Sequence, residues 1–301
     1  MPQQTVAIVA NPTKLDDAEA LRQHVTATLA EHRWHGPLWL ETTAQDPGEG
    51  QAREAVRGGA RLVLAAGGDG TVTACAAGLV GSGVPLGILP AGTGNLLARN
   101  LALPLDLDEA LVAALTGADR ELDVGVANGR IFLAMAGLGL DATMLASTSE
   151  AAKRRFGWAA YALSMARHLG DRPMRVTITT DGGRPRRHRA AGVIVGNVGW
   201  LQGGLPLLPA ARPDDGRLDA VVLAGRGLAD WIALGTALLL RREADRALRT
   251  TFTRLRIDTD REHLWELDGE VIGPTRSLSV GLHSGRLLVR VPSDAAPARL
   301  A

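Results

Sequence analysis

"VLAAGGDGTVTA", residues 63–74, carries four apolar or small residues straight into Gly67, Gly68, Asp69, Gly70 and Thr71. Glycines at the end of a strand signal a positive φ or close approach of something to the backbone. An acid and a hydroxyl in the same turn add chemistry to that geometry. Upstream, "TVAIVAN" reads as a buried strand, and "LDDAEALRQHVTATLAEH" places Leu21, Val25 and Leu29 at helical spacing behind Asp16 and Asp17. "PLWLETT", "GEGQAREAVRGG" and "RLVLAAG" follow as strand, helix and strand. Past the glycine turn come a helix of small residues, the strand "PLGILPAG" and the helix "TGNLLARNLAL". Strands alternating with helices predict right-handed βαβ units, so residues 1–123 are expected to form an α/β, Rossmann-like domain with a parallel sheet.

Beyond Asp123 the pattern changes to short apolar segments punctuated by Gly, Asp and Pro: "VGVANGRIFLAMAG", "PMRVTITTDG", "RRHRAAGVIVGN", "GRLDAVVLAG", "FTRLRIDT", "HLWELDGE" and "SLSVGLH". These predict an antiparallel β-sandwich-like domain over residues 124–301, interrupted by helical inserts at 148–169 and 227–247. The C-terminal tail is expected to dock back on the first domain. A chain of 301 residues accommodates two cores.

Composition narrows the function. Hydrophobic content of 46% beside 22% charged residues is that of a folded, soluble chain, and a net charge of +1 gives no case for wholesale nucleic-acid binding. Of 33 basic residues only Lys14 and Lys153 are lysines, so anion recognition falls to Arg and backbone amides. Cys75, the single cysteine, excludes a disulfide framework and reads as a core residue. The N-terminus enters a strand directly, without a signal peptide, and the apolar run "GLADWIALGTALLLRR" falls short of the roughly 20 residues that span a bilayer. A cytoplasmic protein is expected.

Ligands of open parallel sheets bind outside the carboxyl ends of the strands. Three polar loops lie at such ends: "NPTK" (11–14), "GGDGT" (67–71) and "PAGTGN" (90–95). Two lead into helix N-termini, where backbone N–H groups bind anions. The set reads as a nucleotide-phosphate cradle without a Walker lysine, since no GxxxxGK is present. Any one of these glycine turns alone would read as a plain structural turn.

"GGDGTV", "LPAGTGNLLARNL" and the late "DGE" at 268–270 resemble, in that order, the catalytic domain of the diacylglycerol kinase family, which includes bacterial lipid kinases and sphingosine kinases. The resemblance implies an ATP- and Mg²⁺-dependent kinase acting on a lipid hydroxyl such as that of diacylglycerol. ATP is then held by Asn11, Pro12, Thr13 and Lys14, by Thr42 or Thr43, by Gly67, Gly68, Asp69, Gly70, Thr71, Val72 and Thr73, and by Thr93, Gly94 and Asn95. Glu270 is implied as general base with Asp268 beside it, and Asp69 as the residue that places the metal. In "ARPDDGRLDA" a structural Mg²⁺ is implied on the Asp215 side chain and the carbonyls of Arg212 and Arg217, with Asp123 joining the acid network. Read without the resemblance, Glu270 is a solvated acid in a turn and Asp215 part of an Asx turn.

Several positions depart from the family pattern. Thr73 and Ala74 stand where many relatives carry Asn-Glu, Leu96 replaces an acid, and "NPTK" replaces a frequent NP-x-S-G, with Lys14 offering a phosphate contact in place of backbone amides. A kinase of NAD or another small molecule, or a nucleotide-binding pseudokinase, are the competing readings. "GLGLDA" (137–142) matches a dinucleotide fingerprint but lies outside any βαβ unit, and His32 and His35 mark a surface helix end. "KRRFGW" (153–158) sets a basic cluster beside aromatics, as suits peripheral contact with a membrane at its inner face. "RPRRHR" (184–189) reads as a solvated hairpin tip, or a second headgroup contact.

Overall fold

Strands β1 (Thr5–Ala10), β3 (Leu62–Gly67) and β4 (Leu86–Pro90) are buried on both faces, the pattern of a parallel sheet covered by helices on two sides. The structure is a computed structural model that describes residues 5–15, 17–139, 173–201, 205–223 and 248–293. The chain divides into two compact units, Met1–Leu122 with Gly285–Ala301, and Asp123–Ser284.

In the first unit β1 pairs in parallel with β3 (Ala7↔Val63, Ala10↔Ala66) and with β2 (His35–Glu41), while β3 pairs with β4 (Gly67↔Pro90). The final stretch of β16 (Glu270–Val291) adds a parallel strand beyond β4, through Val289↔Leu86. Helix α1 (Ala18–Glu31) begins where the Asp17 side chain accepts from Ala20 N at 2.9 Å, and it buries Leu21, Val25 and Leu29 as the spacing predicts. Helices α2 (Glu49–Arg57) and α3 (Asp69–Leu79) approach closely because Ala52, Ala55 and Gly78 leave room. A Cβ at Gly78 would lie 2.6 Å from the Glu49 carbonyl oxygen. Helix α4 (Leu96–Asn100) is one short turn-and-a-half after β4. Helix α5 (Leu107–Thr116) is an element the sequence reading did not single out; its signal is Asp106, whose carboxylate accepts from Asp108 N and Glu109 N. Cys75 is fully buried on α3, and desolvation, with Asp46 nearby, pushes its thiol up to about 12, so it is a core residue and no nucleophile.

The second unit is antiparallel. It is entered along β5 (Ala118–Ala127), followed by β6 (Arg130–Phe132), β7 (Met135–Gly139), β8 (Met174–Thr180), β9 (Arg186–Ala190), β10 (Gly192–Gly196), a small β11 (Trp200–Leu201) and β12 (Leu205–Pro206) pair, β13 (Leu218–Leu223), β14 (Leu248–Phe252), β15 (Arg254–Leu267) and most of β16. "RRHRAAGVIVGN", expected as one segment, is two strands broken at Ala191, whose N–H turns to Leu223 O. β15 serves two layers. Its first half pairs with β8 (Ile257↔Ile178), and its last residues pair with β7 (Trp265↔Leu138), with register shifts between. Beyond β7 the order runs β10, β13, β14. The side chains of both layers meet in one core that includes Leu138, Val195, Ala220, Ile178, Ile257 and Trp265. The two predicted helical inserts and the "KRRFGW" corner lie outside the described residues.

Candidate active site

The three predicted loops of the first unit are stitched together at one edge of its sheet. Asn11 N donates to Ala66 O at 2.9 Å, and Asn11 Nδ2 donates to Thr71 Oγ1 at 3.3 Å, which joins the first loop to the second. Asn11 Oδ1 also accepts from Thr13 N and Thr13 Oγ1, at 3.1 and 2.8 Å, and so shapes the single turn Pro12–Lys14. Thr42 N donates to Ala10 O, which brings the end of β2 to the same edge, while the Thr43 hydroxyl accepts from Asp46 N. The third loop is tied in twice. Ala91 N donates to Gly67 O at 3.0 Å, and Asp69 Oδ1 accepts from Leu96 N at 2.6 Å. Leu96, at the position of a missing acid, therefore contributes its backbone N–H and draws Asp69 to the start of α4.

Glycine placement at this edge has two causes. A Cβ at Gly92 would sit 2.6 Å from Gly68 Cα, and one at Gly94 would sit 2.5 Å from Asp69 Oδ2, so both are required by packing of the second loop on the third. Gly67 is likewise closed by the Thr71 side chain at 2.6 Å. Gly70 differs: it is exposed and an added Cβ would meet nothing within 4 Å. Asn95 adopts the left-handed conformation (φ 48°), and its amide closes the loop on Gly92 N and O. Thr71, Val72 and Thr42 are buried, whereas Pro12, Thr13, Lys14, Gly70 and Thr93 reach solvent. No side chain among the described residues caps the N-terminus of α3 at Gly68, which leaves its first amides and the positive end of its dipole without a side-chain acceptor there. Thr73 lies within the first turns of α3, half-buried.

In the second unit, Asp268 and Gly269 form the two-residue turn between β15 and β16, with φ of 47° and 89°. The Asp268 carboxylate accepts three backbone amides, from Leu133 N and Ala134 N at 2.8 Å and Met135 N at 2.9 Å, and its own N–H donates to Met135 O. Such a carboxylate is an anchor: its lone pairs are occupied by the strand it holds. Glu270 follows immediately, exposed, and its side chain makes no hydrogen bond or ion pair among the described residues. Two residues that the sequence reading did not name complete this corner. Buried Glu266 accepts from Gly269 N at 2.8 Å, and Asn197 Nδ2 donates to Leu133 O and to Asp123 O at 3.0 and 2.8 Å. Neither carries a motif; Asn197 is polar inside the apolar run "GVIVGN", which is the one available hint.

The candidate metal loop folds around Asp123, which is buried. Its Oδ2 accepts from Gly216 N at 2.6 Å and its N–H donates to Pro213 O at 2.7 Å. Asp215 Oδ1 accepts from Arg217 N at 3.0 Å, and Arg212 pairs with Asp214 at 3.3 Å. Burial raises the Asp215 carboxyl above its ordinary value, and Asp123 and Asp214 add to this. Asp219 is raised by burial and then by Asp215. No set of three or more His, Cys, Asp or Glu side chains among the described residues forms a metal cage. The Asp215 carboxylate, with Asp123, Asp214 and Asp219 acting on it or on one another, has the charge and hardness that a largely hydrated cation requires.

Comparison with known proteins matches residues 5–127 to the diacylglycerol kinase catalytic domain, and residues 134–282 to the YegS C-terminal NAD kinase beta sandwich-like domain. A relative from Pseudomonas aeruginosa, named "Probable lipid kinase YegS-like", is 32% identical over 93% of both chains. The "Diacylglycerol kinase" of Bacillus subtilis is 28% identical over 88% of this chain and 89% of its own. The crystal structure of a diacylglycerol kinase from Bacillus anthracis superposes with a TM-score of 0.78 at 25% identity, covering 97% and 98% of the two chains. An ATP complex of the NAD kinase from Archaeoglobus fulgidus shares the fold at a TM-score of 0.54 and 12% identity over 95% and 93%. With both family domains matched in order and the pattern carried along nearly its whole length, the chain belongs to the lipid kinase family built on the diacylglycerol kinase catalytic domain.

Proposed function

We propose that the protein transfers the γ-phosphate of ATP to a lipid hydroxyl, with diacylglycerol as the acceptor class and Mg²⁺ as the metal. The observation that carries this reading is the stitched three-loop edge around the uncapped start of α3, with Gly70 open to solvent. Backbone amides there would hold the phosphates, and exposed Lys14 adds a cation at the rim. Glu270 has the chemistry of the general base, since its carboxylate is unpaired and can take the acceptor hydroxyl's proton. Asp268 fixes the turn that presents Glu270 through its three amide bonds. Asp69 would hold the metal in the first unit, and Asp215 with the Arg212 and Arg217 carbonyls a second one, over a loop fixed by Asp123. A bound Mg²⁺ supplies neutralisation of charge on the transferring phosphoryl group.

Incubation with labelled ATP and a panel of lipid micelles tests the reading. Transfer to a glycerolipid hydroxyl is the expected result; no transfer to any lipid at any Mg²⁺ level overturns it, and transfer to NAD alone reassigns the acceptor. ATP binding without turnover, unchanged by Glu270→Gln, would mark a pseudokinase. The metal part has its own readout: Mg²⁺ should raise the unfolding temperature, and Asp215→Asn should remove that increment.

A further inference from the structure

We infer that the outward face of the β9–β8–β15–β16 layer in the second unit is a docking surface for an anionic lipid bilayer. The register fixes which side chains share that face. Met174, Val176, Ile178, Leu255 and Ile257 point into the core, so the alternate residues point out. Across the strands Arg189 stands opposite Arg175, Arg187 opposite Thr177, Thr177 opposite Asp258, and Thr179 opposite Arg256, which is opposite Ser279. Arg254 lies on the same face, opposite Gly281. Only Arg256 is matched there, by two 2.9 Å bonds to Asp258. Arg175, Arg187, Arg189 and Arg254 have no ion pair among the described residues.

The acids nearby cancel only part of this charge, Asp181 acting on Arg254 and Asp258 on Arg256. Asp181 spends its carboxylate on Thr253 N, Thr253 Oγ1 and Arg254 N, and Asp260 accepts from Arg175 N. With Arg184 at the hairpin tip, six arginines against Asp181, Asp258 and Asp260 leave a local net charge of +3, where the whole chain carries +1. Charge concentrated on one broad sheet face fits an extended anionic surface. Along it runs an open groove of about 760 Å³ whose floor is largely apolar, with Val126, Leu255, Val280 and Leu282, and whose basic residues are Arg254 and Arg256. A single-stranded nucleic acid would call for aromatic side chains between the basic ones, and the outward positions here are Thr177, Thr179, Ser277 and Ser279. This surface rests on the lipid kinase reading for its purpose, yet it is tested without catalysis.

The test is flotation of the full-length, nucleotide-free protein with phosphatidylcholine vesicles, with and without phosphatidylglycerol. Arg187→Gln/Arg189→Gln is compared with Arg57→Gln/Arg61→Gln, two exposed arginines of the first unit. The expected result is salt-sensitive binding to the anionic vesicles only, reduced about tenfold or more in the first variant and unchanged in the second, with equal unfolding temperatures. Turnover on a short-chain, water-soluble diacylglycerol should stay the same in both variants, while turnover on long-chain diacylglycerol in anionic vesicles should fall in the first. Equal partitioning of the two variants overturns the assignment, as does preferential retention on single-stranded RNA over the vesicles. Failure of all phosphoryl transfer would sink the kinase reading while leaving the vesicle result to decide the surface.

Discussion

At the residue scale, Gly70 and Gly92 make opposite predictions although both belong to glycine-rich loops. Gly70→Ala adds a methyl into open space, so the unfolding temperature should hold while ATP affinity, measured by calorimetry, is lost. Gly92→Ala drives a methyl onto Gly68 Cα and should destabilise the fold itself. Normal ATP binding by Gly70→Ala would reduce the turn to packing. The acids of the 268–270 turn separate in the same way. Glu270→Gln should abolish turnover at unchanged stability, since that side chain is exposed and makes no hydrogen bond or ion pair among the described residues. Asp268→Ala should cost about 1–3 kcal/mol of stability for the amides it strands, seen as a lower urea midpoint. The glycines of "GGDGT" mark that turn by themselves, whereas "DGE" read alone is a solvated turn and only the family resemblance singled out Asp268 and Glu270. That Asp268 anchors a strand more than 130 residues earlier was not readable, because its partners are backbone amides that any residue supplies.

At the element scale, helices and strands with strong periodicity or turn glycines announced themselves: α1 by Leu21, Val25 and Leu29, and the β15–β16 hairpin by Asp268-Gly269. Helix α5 did not, although its Asp106 cap is a standard start signal, because the glycine-rich loops before it drew the reading away. The bend in β15 was equally hidden, since polar residues such as Asp258, Asp260 and His263 look alike in either layer. His263 gives the element a pH dependence. Burial, then Arg261, holds its imidazole below the ordinary 6.5, against a smaller opposing pull from Asp260. The unfolded chain therefore takes up a proton below pH 6.5 that the folded strand refuses, and stability falls as the pH drops through that value. Urea midpoints at pH 7.5 and 5.5 should differ less in His263→Gln than in the wild type; equal differences would remove His263 from the account.

At the scale of the whole molecule, the change from helical to strand periodicity near Asp123 was visible in the sequence, and the expected return of the tail had no periodicity to say which strand it would join. Residues after Gly285 lie with the first unit: Val289 pairs with Leu86, Arg290 bonds Asp119 and Gly117 O, and Gly81 N donates to Arg286 O. That return has a consequence for synthesis on the ribosome. Residues up to Leu122 leave the exit tunnel with the flank of β4 uncovered, and the strand that covers it is made only after the whole of the second unit. The three-loop edge is encoded early, yet the sheet that carries it closes only once Gly285 to Val291 has been made. Nascent chains stalled before residue 285 should be cut readily by protease in the first unit, and chains stalled well beyond residue 291 should resist. Equal resistance in both would mean that the unit closes without its last strand.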